Sequence, residues 1–63
     1  MRGLTKRQKN FLTTLYNDKG VRSVEEMHYT DWEILEEMND WEMLWQCANN
    51  YLLDLQFEEV RRG

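Results

Sequence analysis

The sequence predicts an all-α protein, a small helical hairpin or three-helix domain organised around a long C-terminal helix. Three observations predict it. Proline is absent and glycine is confined to Gly3, Gly20 and Gly63, so long stretches hold nothing that breaks a helix. Helix-start signals recur: Thr5 with Gln8, Ser23 with Glu26, Thr30 with Glu33 and, more loosely, Asn39 with Glu42 have capping-box spacing. Apolar residues return every three or four positions. Sixty-three residues make one domain at most, spanning 1–63.

Helix 1 is expected over residues 5–18. Phe11, Leu12, Leu15 and Tyr16 fall on one side, and Lys6, Lys9, Asn10, Thr13 and Asn17 on the other. Gly20, after Asn17-Asp18-Lys19, reads as a C-terminal cap. A short helical turn follows at 23–28. Helix 2 is expected at 31–38, with Trp32, Ile34, Leu35 and Met38 opposite Glu33, Glu36 and Glu37. Helix 3 is expected at 40–60, about 31 Å long at 1.5 Å per residue. Trp41, Leu44, Trp45, Ala48, Tyr51, Leu52 and Leu55 make one continuous stripe along it, with Trp41, Leu44 and Trp45 expected to hold the core. Met43, Cys47, Leu53, Phe57 and Val60 make a second apolar surface behind it, interrupted by Asn50 and Asp54. A helix apolar on both sides is normally buried on both sides. Two short helices cover one stripe, so Met43, Leu53 and Phe57 are expected to meet another chain. The alternative is that helix 3 is wrapped completely within the monomer.

Size points the same way. A chain this short buries only about 60% of the surface its unfolded form exposes, and small scaffolds need a staple, a partner or dense packing. Cys47 is the single cysteine, which rules out a disulfide within the monomer, and His28 is the single histidine, which leaves little for a zinc site. Three tryptophans, three tyrosines and two phenylalanines supply core and interface material instead. A homo-oligomer, or a monomer completed by another protein, is expected. No apolar run has the length of a membrane helix, no apolar stretch follows Arg2 as in a signal peptide, and one free thiol suits a reducing compartment. The expectation is a cytoplasmic protein without a membrane partner.

Charge is segregated. All eight bases lie outside residues 23–60 and eleven of the twelve acids lie inside, so the net charge of −4 conceals a −11 block between +7 flanks. A one-signed surface attracts the opposite sign and repels its own. Glu33, Glu36 and Glu37 on helix 2 are the candidate contact for a basic protein surface. In the bland alternative the acids only keep an aromatic-rich protein soluble. In the sharpest form, carboxylates on helices stand in for phosphates and fill a nucleic-acid-binding groove.

Other sites are weaker. Glu25-Glu26-Met27-His28 contains the Glu-x-x-His spacing of di-iron carboxylate helices, but a full site needs two such motifs, which only a dimer supplies. A solvated glutamate beside a surface histidine is the ordinary alternative. Cys47 lacks a neighbouring base in sequence and reads as a small hydrophobe. No phosphate loop, dinucleotide fingerprint or calcium loop is present, and no cofactor is expected.

Two resemblances add to this. Leu4-Thr5-Lys6-Arg7-Gln8 with Phe11-Leu12, then Gly20 and Ser23-Val24-Glu25-Glu26, resembles the opening of LexA-type winged-helix repressors. It ends where a recognition helix would fall, since Asp31 to Met38 carries four acids and no base and would be repelled by phosphates. Direct nucleic-acid binding is not expected. Asn39-Asp40-Trp41-Glu42-Met43-Leu44-Trp45-Gln46 and Tyr51-Leu52-Leu53-Asp54-Leu55 resemble small helical proteins of phages and prophages of Gram-positive bacteria. That resemblance implies a host or phage protein as ligand rather than a substrate. The expectation is a non-enzymatic, acidic protein-interaction module, with inhibition of its partner as one form. The alternatives are a self-associating assembly protein and, third, a metal-dependent enzyme formed only in a dimer.

Overall fold

The computed structural model describes residues 3–62. Regular structure among them is all helical: α1 (Lys6–Lys19), a 3₁₀ turn (Val24–Glu26), α2 (Tyr29–Met38) and α3 (Leu44–Arg62). α1 packs against both α2 and α3, and the 3₁₀ turn packs on α3. The N-terminal helix is therefore the hub, and the long C-terminal helix closes one side of it.

α1 starts where the capping-box spacing places it. The Thr5 hydroxyl accepts the Gln8 amide at 3.1 Å, and the Gln8 side-chain oxygen accepts the Thr5 amide at 3.1 Å. It ends at Gly20, whose φ of 71° is left-handed and whose N–H reaches the Leu15 carbonyl. A Cβ at Gly20 would meet no atom within 4 Å, so glycine is needed there for its backbone conformation, not for space. Val21 follows and is buried, as is Val24 in the 3₁₀ turn.

α2 begins at Tyr29, two residues earlier than expected, because His28 rather than Thr30 supplies the cap: its Nδ1 accepts the Thr30 amide at 3.2 Å. α3 begins at Leu44, not at residue 40, and continues to Arg62. Asn39 is extended at φ −172° and ψ 101°, so the Asn39–Glu42 capping box does not form. The chain enters α3 through a turn in which the Leu44 amide donates to the Trp41 carbonyl at 3.0 Å. That turn lets Trp41 pack against the core.

The core joins Leu12, Leu15 and Tyr16 of α1 to Val21, Val24, Leu35 of α2, and Leu44, Ala48 and Leu52 of α3. Leu12, Leu35 and Leu52 are wholly buried, each worth about 1.5–3 kcal/mol over exposure. Trp45, expected in the core, lies outside it at 49% exposed, and Ile34 of α2 is 43% exposed. Leu44, Ala48 and Leu52 define the buried line of α3, and Trp45 sits one position off it, past the edge that short helices cover.

Gln8 is the one fully buried polar side chain of the core region. Its amide nitrogen donates to the Leu35 carbonyl at 3.0 Å and the Asn39 carbonyl at 2.9 Å, while its oxygen serves the α1 cap. Both amide hydrogens are thereby used, and the end of α2, where carbonyls lack intrahelical donors, gains two. Gln8→Met keeps the volume and removes all three side-chain hydrogen bonds. It should cost about 2–4 kcal/mol in urea unfolding, whereas Lys9→Ala on the exposed face should cost under about 0.5 kcal/mol. A Gln8→Met loss as small as the control would contradict the assignment.

Candidate functional site

Glu33, Glu36, Glu37 and Asp40 line one shallow depression of about 310 Å³ on the outer side of α2. Spacings of three and four place the helical members on one face. Glu33, Glu37 and Asp40 are exposed and Glu36 is half-buried. None of the four is in an ion pair among the described residues. Asp31, the other acid of this helix, is different: it is 7% exposed and bridged to Lys19 at 3.2 Å. The unpaired carboxylates of α2 thus gather round one depression, apart from the Lys19–Asp31 bridge. Arg7 borders it, sharing a second depression with Ile34, Glu37 and Met38.

On and just before α3 the structure leaves Met43, Leu53 and Phe57 exposed, at 44%, 39% and 63%, with Val60 at 77%. Cys47, expected on the same surface, is half-buried. Leu53, Phe57 and Val60 follow one another along one face. Met43 stands in the turn before the helix, apart from them in sequence by three turns of α3. The acidic depression and the apolar strip are two separate surfaces on two helices.

Two polar residues of α3, Asn49 and Gln56, have structural uses that the sequence does not announce. The Asn49 side chain accepts the Val24 amide at 3.2 Å, and the Gln56 amide donates to the Arg22 carbonyl at 2.7 Å. Seven residues apart, they hold the 20s loop to one edge of α3. Beside them lies a cleft of about 500 Å³ between α1 and α3, lined by Tyr16, Arg22, Glu59 and Arg62 among others. The Tyr16 hydroxyl donates to the Glu59 carboxylate, and the Arg22 guanidinium lies 3.9 Å from the Tyr16 ring centre. Arg22 also reaches Glu59 at 3.9 Å and donates to the Tyr16 carbonyl at 3.1 Å. Tyr16, Arg22 and Glu59 are each engaged by the other two, so these three act as a clasp between the end of α1 and the end of α3.

Glu25 and His28 do not share an α-helical face. Glu25 is in the 3₁₀ turn, and His28 is the α2 cap with Nδ1 also 2.7 Å from the Thr30 hydroxyl. Among the described residues no three His, Cys, Asp or Glu side chains converge as a metal-binding group. No described helix is long and apolar enough to cross a membrane. The Trp41 indole N–H is buried without a hydrogen-bond acceptor among the described residues.

No family model, curated protein or solved structure matches the chain.

The clasp carries a pH signature. The hydrogen bond to Glu59 pushes the Tyr16 phenol above its ordinary value of 10.0, burial and the Glu59 charge push the same way, and Arg22 opposes them. A proton held more tightly in the folded state stabilises the fold fully below about pH 10, and that contribution is lost as pH rises through the folded value. Titration of Tyr16 followed by NMR should show its phenol ionising above the ordinary range, and Glu59→Ala should bring it down. A Tyr16 that ionises at its ordinary value in the native protein would contradict the clasp.

Proposed function

We propose that this protein is a small, non-enzymatic interaction module that docks the acidic face of α2 on a basic surface of another protein. The observation that supports this best is the grouping of Glu33, Glu36, Glu37 and Asp40 round one depression with no ion-pairing base among the described residues. Acids scattered for solubility have no need to converge, whereas converging carboxylates raise the local potential that steers a cationic partner. A nucleic-acid-binding surface is the natural class of target, since it is built to receive a row of negative charges. Occupying it would make the module an inhibitor. Its site of action would be the cytoplasm, where a free thiol such as Cys47 stays reduced, and a phage or host protein would be its ligand.

Reversing Glu33, Glu36 and Glu37 to lysine tests the proposal. Glu33 and Glu37 are exposed, so reversing each should change stability by under about 0.5 kcal/mol, and reversing the half-buried Glu36 should cost about 1 kcal/mol. Like charges facing each other across an interface cost several kcal/mol, so binding to the captured basic protein should fall at least about a hundredfold. Wild-type binding should also weaken steeply with salt, because exposed charges are screened beyond about 10 Å at 0.1 M. Full binding by the triple variant, or binding indifferent to salt, would leave the acids as a solubilising face only.

A further inference from the structure

The exposed side of α3 carries a pattern that complements itself. Leu53, Phe57 and Val60 are spaced four and three, the seam spacing of a coiled coil, and are 39%, 63% and 77% exposed. Leu44, Ala48 and Leu52 point the other way, into the chain's own core. Along one edge of the seam lie Asp54 and Arg61, seven residues apart, both exposed and neither in an ion pair among the described residues. The other edge is Asn49 and Gln56, already bonded to the 20s loop.

We propose that a second copy of this chain packs antiparallel along this seam, with Phe57 against the partner's Val60 and Asp54 against the partner's Arg61. A two-fold axis repeats each contact, giving two apolar layers and two ion pairs from one surface. In an antiparallel pair, positions on the same edge of the seam meet with their order reversed, which is how Asp54 comes level with Arg61. Charge selects this register. A shift of one heptad towards the N-terminus would seat Phe57 against the partner's Leu53, but would bring Asp54 onto the partner's Asp54 and Val60 against the partner's Asn50. A parallel pair would set Gln56 beside the partner's Arg61 and Asn49 beside the partner's Asp54, forming no ion pair and aligning the helix dipoles side by side. The other arrangements also bring apolar residues together, but this antiparallel register alone pairs acid with base.

The seam is short. Two layers fall below the roughly 1,000 Å² expected of a stable interface, so dissociation should lie near about 0.1 mM. This association uses α3 and is independent of the docking proposed for α2.

Sedimentation equilibrium of the full chain at low salt, from micromolar to millimolar concentration, tests it. The wild type should pass from monomer to dimer across this range. Phe57→Lys should remain monomeric with unchanged helicity. Asp54→Arg and Arg61→Asp should each weaken the dimer about tenfold, and the double exchange should restore it to within about threefold of wild type. Arg61→Asp also removes a base from the last turn of α3, but the double variant carries the same loss, so rescue reads the pairing. A wild type that stays monomeric at about 1 mM overturns the proposal. So does a dimer indifferent to Phe57→Lys, or a double exchange as weak as either single one.

Discussion

The Gln8 side chain is the constraint on which the arrangement of the helices depends. It is fully buried, yet all its hydrogen-bonding atoms are used: the oxygen closes the cap of α1, and the nitrogen holds two carbonyls at the end of α2. A buried amide left half-satisfied would be costly, so only one placement of α2 against α1 keeps it content. Hydrophobic burial of Leu12 and Leu35 is non-directional and would tolerate α2 rotated or slid. Gln8 removes that freedom. The fixed rotation of α2 turns Asp31 towards Lys19 and leaves Glu33, Glu36 and Glu37 outward.

The far end of the molecule is secured by different chemistry. Asn49, Gln56 and the Tyr16–Arg22–Glu59 cluster bind the 20s loop and the end of α1 to α3. With α3 held along its inner face and one edge, Leu53, Phe57 and Val60 have no covering element among the described residues. The two proposed contacts thus follow from one geometry. Among the described residues the longest helix is covered on one side, leaving an acid array on α2 and an apolar seam on α3.

Much of this was legible in the sequence, and the misses have physical causes. The all-α class followed from absent proline and repeated caps, and Thr5–Gln8 and Gly20 cap α1 as their spacing and chemistry suggest. The start of α2 was misplaced because imidazole is an uncommon cap and Thr30 a common one. The start of α3 was misplaced because helical periodicity runs through Trp41, though the chain there bends to bring that indole inward. Trp45 was assigned to the core because periodicity states which residues share a face, not how wide a face the neighbours cover. Gln8 was visible as half of a capping box, but its bonds to Leu35 and Asn39 span 27 and 31 residues and leave no local signature. The acid face of α2 was legible as charge; its convergence with Asp40 round one depression required the turn after Met38.

Side-chain amide exchange at Gln8, followed by NMR in the native protein, tests the central constraint most directly. Both amide protons should exchange slowly, at rates set by opening of the α1–α2 contact, and should show contacts to the last turn of α2. Exchange as fast as that of an exposed glutamine such as Gln46 would mean that Gln8 does not hold α2, and the placement of the acid face would lose its cause.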